Sequence, residues 1–178
     1  MRTVEIRRHT MRTKPGQHLS QAGVTLARRV GEETGPFVRV ITSTIPRAFE
    51  TAIAMGFAVD EQIGALSEMG EDVDAGIGWP ATFAQVAAAV RAGGAVARFA
   101  AEEARLWRGI AAGLPDGAAA LVISHGGIVE LGAVACAPDA DHGSWGPHLD
   151  YCEGARLIFD GERLIAAEVL RLPESLRP

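Results

Sequence analysis

Three short polar stretches of this chain each follow an apolar run: Arg8-His9-Thr10 after Val4 to Arg7, Ser43-Thr44-Ile45-Pro46-Arg47 after Phe37 to Ile41, and His125-Gly126-Gly127 after Ala119 to Ser124. The first alone reads equally well as two solvated arginines, Arg7 and Arg8, beside a locally capping His9. Together the three say more. If the apolar runs are parallel strands, their ends share one edge of a sheet, where ligands of such sheets bind. His9, His125, Arg8 and Arg47 then meet at one place. The guanidinium fork suits phosphate, and Gly126 with Gly127 opens backbone amides to an anion at a helix start. That combination is what a tetrahedral oxyanion requires.

The elements needed to position these residues are legible in the pattern. Residues 2–8 read as a first strand. Ser20 can cap a helix whose apolar face runs through Leu26 and Val30, ended by Gly35-Pro36. Phe37 to Ile41 is a second strand, and Pro46 suits the first turn of a helix reaching Met55. Ile63 to Ser67 is a short strand, and Glu68 to Pro80 a loop rich in glycine and acid. Helices follow over Thr82 to Arg91 and Ala95 to Ala112, separated by Gly93-Gly94. Ala119 to Ser124 is a strand, and the helix after it runs through Cys136. Pro138 to Tyr151 is a polar loop. Arg156 to Phe159 and Leu164 to Leu170 flank Asp160-Gly161, a hairpin turn signal. This alternation predicts an α/β fold, a three-layer α/β/α sandwich whose mainly parallel sheet ends in a C-terminal hairpin.

Composition narrows the class. The 178 residues fit a single domain, 1–178. A net charge of −5 gives no support to nucleic-acid binding. No segment has the pattern of a secretory signal or the length of a membrane span, so a soluble cytoplasmic protein without a membrane partner is expected. Cys136 and Cys152 make no disulfide framework, although one bridge between them stays open. Nothing in the pattern specifies an oligomeric state.

The motifs resemble, in order and spacing, those of the histidine phosphatase superfamily, the phosphoglycerate-mutase-like group. Arg8-His9-Thr10 resembles its Arg-His-Gly signature, and Leu19-Ser20-Gln21-Ala22-Gly23 its Leu-Thr-x-x-Gly helix start. Ser43 to Ala52 resembles its Ser-x-x-x-Arg-Ala-x-Gln-Thr-Ala segment, Leu66-Ser67-Glu68 its Leu-x-Glu, and Val122 to Gly127 its second histidine motif. The resemblance implies that His9 becomes a phosphohistidine and that Arg8, Arg47 and His125 hold the transferring oxygens. Glu68 would protonate the leaving oxygen and then activate water. It implies a phosphatase acting on a phosphorylated small molecule or phosphoprotein, with no metal or other cofactor. It also implies a small cap, for which residues from about 70 to 117 would have to serve as well as forming a helical layer.

This chain departs from the family pattern at Thr10, Met11, Arg12 and Pro15. Thr10 and Arg12 become candidate phosphate or substrate contacts beside Gly126. The same departures keep two alternatives open: a phosphomutase or phosphoryl transferase on the same site, and a catalytically impaired phosphate-binding regulatory module. For the acid, Glu71, Asp72 and Asp74 stand near Glu68. His142, His148 and Cys152, with Asp139 and Asp141, are dense enough for a metal to be weighed, but they match no tight ligand pair, and a polar loop over the site mouth is the preferred reading.

Overall fold

The structure, a computed structural model, describes residues 1–177. β1 (Arg2–Arg8) carries Val4 and Ile6 fully buried, and it lies inside the sheet between two partners. The other strands are β2 (Arg39–Thr42), β3 (Glu61–Gln62), β4 (Ala119–Ser124), β5 (Gly154–Asp160) and β6 (Arg163–Leu170). Among the described residues they form one sheet in the order β3-β2-β4-β1-β5-β6. The first four in that order are parallel; β5 pairs antiparallel with β1, and β6 with β5.

Among the described residues six α-helices accompany the sheet: α1 (Gln21–Glu32), α2 (Pro46–Ala54), α3 (Glu71–Ala75), α4 (Phe83–Ala92), α5 (Gly94–Ala112) and α6 (Ile128–Cys136). Strand alternation divides the core between the two faces. Leu121 and Ile123 pack with Leu26, Val30, Ala48 and Ala52 of α1 and α2. Val122 and Ile6 pack with Phe83, Val86, Trp107 and Leu131 of α4 to α6. The result is the expected three-layer α/β/α sandwich with a closing hairpin. Stretch 70–117 thus supplies a helical layer through α4 and α5, and its contribution to the cleft described below is Trp79 and Pro80. Among the described residues no helix is long and apolar enough to cross a membrane.

Two local expectations change. The strand expected over Ile63 to Ser67 lies earlier, at Glu61–Gln62, which pair with Ile41 and Thr42. After Ile63 the chain turns into a 3-10 helix, Gly64–Leu66, because Leu66 drops into the core. The loop expected over Glu68 to Pro80 contains the short helix α3, whose Val73 is buried. Arg7 is also not solvated. Its Nε donates to Glu5 Oε1 at 2.6 Å and its NH1 to the Cys152 carbonyl at 2.7 Å.

α1 must sit close to the segment following β1, and Gly23 permits this. A Cβ at Gly23 would stand 2.1 Å from the Met11 carbonyl oxygen. Ser20 caps the helix by accepting from the Gly23 amide at 3.1 Å. Gly23→Ala is therefore expected to cost about 1–3 kcal/mol through forced separation of α1 from residues 9–11. Denaturant unfolding checks this, and an unchanged midpoint would refute the close contact.

Candidate active site

The three polar stretches converge. Arg8 is level with Ser124 across the β1–β4 ladder, and Thr42 with Ile123 across β2–β4. The chain leaves all three strands at one edge. The His9 amide donates to the Ser124 carbonyl at 2.9 Å, and the Ser43 amide to the Ile123 carbonyl at 3.0 Å. These bonds bring the His9 and His125 rings to a centroid distance of 5.1 Å. Arg47, on the first turn of α2, donates from Nε to His9 Nε2 at 2.9 Å and from NH1 to Gln17 Oε1. Arg8, His9, Arg47, His125, Gly126, Gly127 and Glu130 line a cleft of about 420 Å³, with Trp79, Pro80, His148 and Leu149 completing its wall.

The tautomer of His9 follows from its partners. Nδ1 lies 2.6 Å from the Thr10 carbonyl, an acceptor only, so Nδ1 carries the proton. Nε2 then presents a lone pair, which the Arg47 N–H finds. Burial lowers the His9 pKa to about 3; its bond to the Thr10 carbonyl opposes this, while His125, Arg47 and Arg8 add to it. Burial, with Arg47 and Arg8, lowers His125 to about 3 as well. Both imidazoles are neutral near pH 7. Arg47 is itself held below its usual range, by burial and by the Arg12 and Arg8 guanidiniums. Cations crowd here without a carboxylate ion pair to any of the three arginines among the described residues. With the amino end of α6 adding its positive dipole end, the site calls for an anion.

Arg8, His9, Arg47, His125 and Gly126 are therefore brought together. Gly126 admits the arginine: a Cβ there would lie 3.2 Å from Arg8 Nε. Thr10 is not brought to the cleft. It is fully buried, and its hydroxyl donates to the Gly23 carbonyl at 3.1 Å, on the side of α1. Arg12 stands apart too, donating from NH1 to the Pro15 and Gly16 carbonyls at 3.0 and 2.7 Å. Glu68 is exposed and outside the cleft wall. Its segment nevertheless borders the site. The Leu66 carbonyl accepts from Ser124 Oγ at 2.8 Å, Ser67 Oγ accepts from the Thr44 amide at 3.1 Å, and Met69 packs on Gly127. Glu71, Asp72 and Asp74 are exposed on α3.

Three contributors were not singled out from sequence. Ser43 bonds His125 Nε2 at 2.7 Å; it heads the Ser-x-x-x-Arg segment, so its signal was present. Glu130 lies three residues beyond Gly127, at the spacing of a capping box, and accepts from the Gly127 amide at 2.7 Å. Tyr151, the single tyrosine, lies against Arg8 from the end of a long loop that carries no periodicity. The loop histidines and Cys152 do not assemble. His142 packs edge-on against Trp145 with centroids 4.8 Å apart, and Cys152 is fully buried, its thiol pushed up to about 11 by burial. Among the described residues no three His, Cys, Asp or Glu side chains form a metal-ligand group. Cys136 and Cys152 are both free thiols.

No protein-family model and no curated protein matches the chain. Solved structures do. YhfR of Bacillus stearothermophilus is 19% identical with a TM-score of 0.65, over 92% of this chain and 94% of its own. A phosphoserine phosphatase from Entamoeba histolytica, solved with 3-phosphoglyceric acid, aligns at TM-score 0.71 and 13% identity, over 99% of this chain and 100% of its own. The fold is that of the phosphoglycerate-mutase-like histidine phosphatases. A mycobacterial glucosyl-3-phosphoglycerate phosphatase shares this histidine phosphatase fold at TM-score 0.68 and 19% identity, over 96% of this chain and 98% of its own.

The neutral histidines make stability depend on pH. Their folded pKa values lie below the ordinary imidazole value of 6.5, so below that pH the unfolded chain takes up protons that the fold refuses. Stability is complete above pH 6.5 and falls from there toward pH 3, with a slope approaching about 1.4 kcal/mol per pH unit for each histidine. Denaturant midpoints from pH 8 to 4 should show this fall, and His125→Gln should make it shallower. Identical slopes in the two proteins would show that His125 is not held neutral.

Proposed function

We propose that this chain is a phosphatase of the histidine phosphatase superfamily, hydrolysing a phosphomonoester through a phosphohistidine on His9. The observation that carries the reading is the neutral His9, its Nε2 lone pair directed at Arg47 in a cleft shared with Arg8 and His125. In the first step Nε2 attacks phosphorus, and the bond to the leaving oxygen breaks. Glu68 gives that oxygen a proton. Water then attacks the phosphohistidine, its proton passes to Glu68, and the N–P bond breaks to release phosphate. Arg8, Arg47 and His125 hold the equatorial oxygens, with Gly126 leaving room for Arg8; this is catalysis by positioning and electrostatics. Arg12, beside Arg47, adds to the positive field at the mouth. The mechanism assigns no step to a metal.

A cleft of about 420 Å³ suits a small phosphorylated metabolite better than a folded phosphoprotein. The neighbours named as a phosphoserine phosphatase and a glucosyl-3-phosphoglycerate phosphatase fit the same substrate class. The free thiols of Cys136 and Cys152 fit a reducing cytoplasm. Thr10 weakens the case for an impaired module, since its side chain points to α1 and leaves the cleft open.

The test is hydrolysis of an aryl phosphate with chelator present, for the wild type, His9→Ala and Glu68→Gln. Activity should resist chelator and fall about 10³-fold or more in His9→Ala. Glu68→Gln should spare the phosphoenzyme burst with a good leaving group and slow its hydrolysis. Wild-type rates in His9→Ala would sink the proposal. Transfer to an added alcohol in preference to water would identify a phosphoryl transferase instead.

A further inference from the structure

Glu130 is the carboxylate that lines the cleft, and the reaction above gives it no task. It is 1% exposed. Both of its oxygens are engaged: Oε2 accepts from the Gly127 amide at 2.7 Å, and Oε1 from the Leu149 amide at 2.9 Å. Burial raises its pKa, while its bonds to the Leu149 and Gly127 amides favour the carboxylate. Those two bonds give it a structural task whatever its protonation, since an unmet N–H inside the protein is costly.

Its bonds lead elsewhere. The carbonyl of Leu149 accepts from Arg8 NH1 at 2.7 Å. A continuous path thus runs from the start of α6, through Glu130 and the main chain of Leu149, to the guanidinium assigned to phosphate. Two residues on, Tyr151 places its ring against the same guanidinium, with Cζ 4.6 Å from the ring centroid. The Tyr151 ring is also 6.1 Å from that of His9. Gly126 closes the remaining side. Arg8 is thereby held at one nitrogen and at one face, while its buried Nε has no partner.

We propose that Glu130 is a positioning residue. Through Leu149, and together with Tyr151, it sets the orientation of Arg8 and with it the affinity of the phosphate clamp. The proposal rests on the phosphatase reading only for the identity of the anion.

Phosphate binding tests it on the full chain, by titration with inorganic phosphate of the wild type, Glu130→Gln, Tyr151→Leu, Tyr151→Phe and Arg8→Lys, and of the doubles with Arg8→Lys. Glutamine keeps one acceptor but turns an N–H₂ toward the other amide. Glu130→Gln and Tyr151→Leu should each weaken binding about tenfold. Tyr151→Phe, which keeps the ring face, should bind as the wild type does. In the Arg8→Lys background the Glu130 and Tyr151 changes should add little, because both act through Arg8. A general weakening of the fold would instead cost the same in either background, and that additivity would overturn the proposal. If Glu130→Gln does not fold, half-buried Tyr151 carries the same cycle. In an active enzyme Glu130→Gln should keep the pH profile of kcat, which a proton-transfer role would change.

The two readings fail differently. A wild type that binds phosphate but hydrolyses no ester removes the phosphatase and leaves this inference standing. Hydrolysis with phosphate affinity indifferent to both Glu130→Gln and Tyr151→Leu removes the inference alone. A wild type that does not bind phosphate removes both.

Discussion

Gathering cations without a direct ion pair is the constraint on which the rest of the structure depends. Arg8 and Arg12 lie close enough to Arg47 to help lower its pKa, and a carboxylate paired to any of the three would weaken the field an anion needs. The fold orients them with neutral carbonyl oxygens instead. Arg8 donates to the Leu149 carbonyl, Arg47 to the Gln17 side chain, Arg12 to the Pro15 and Gly16 carbonyls, and His9 is paired with the Thr10 carbonyl. Such partners fix direction while leaving the charge available. The imidazoles meet the same field by staying neutral, which is also the state a nucleophilic histidine requires.

Carboxylates are used one layer back. Glu5 accepts from Arg7 at 2.6 Å and from Arg156 at 2.9 Å, tying β1 to β5. Glu153, also buried, accepts from Arg171 at 2.7 Å and from the amides of Asp150 and Leu172. Arg171 in turn donates to the carbonyls of Trp145, Pro147 and His148. A buried ion pair is worth its desolvation only when the remaining donors and acceptors are also met. Here the main chain of the loop meets them, so residues 145–153 are fixed from behind while their front faces the cleft. A loop of this length without regular structure needs such anchoring to present Leu149 and Tyr151 to Arg8.

The sequence made the frame and the centre of the site legible for a common reason. Strands ending in polar residues, a capping Ser20 and a proline at the start of α2 are local signals, and parallel pairing converts three local signals into one site. The long-range partners were not legible. Glu130 was hidden because a glutamate one turn into a helix is ordinary, and only the fold brings Leu149 to its second oxygen. Tyr151 was hidden because it arrives on an aperiodic loop. The solvated alternative for Arg7 stayed open because, although alternation along β1 puts Glu5 on the same face, only the fold brings the Cys152 carbonyl to it. The β3 strand was displaced because two exposed residues, Glu61 and Gln62, pair by backbone alone, while the apolar signal at Ile63 and Leu66 belongs to the turn that follows.

Thr10 shows how the frame absorbs a change next to the nucleophile. Its side chain sends its hydroxyl to the Gly23 carbonyl, which α1 brings near because residue 23 lacks a Cβ. Its amide donates to Thr51 Oγ1 at 3.1 Å, and that hydroxyl donates on to the Arg47 carbonyl at 2.6 Å. The residue after His9 is therefore bonded to both helices of one face, and through Thr51 to the turn of α2 that carries Arg47. In a buried site each of these bonds replaces one that water would otherwise make, so losing it exposes an unmet group rather than a gap that solvent can fill. The link from nucleophile to clamp thus runs through the main-chain amide of residue 10, so the 2.9 Å contact between His9 Nε2 and Arg47 Nε is backed by a main-chain bond as well as by the side chains, while the Thr10 hydroxyl adds a tie to α1.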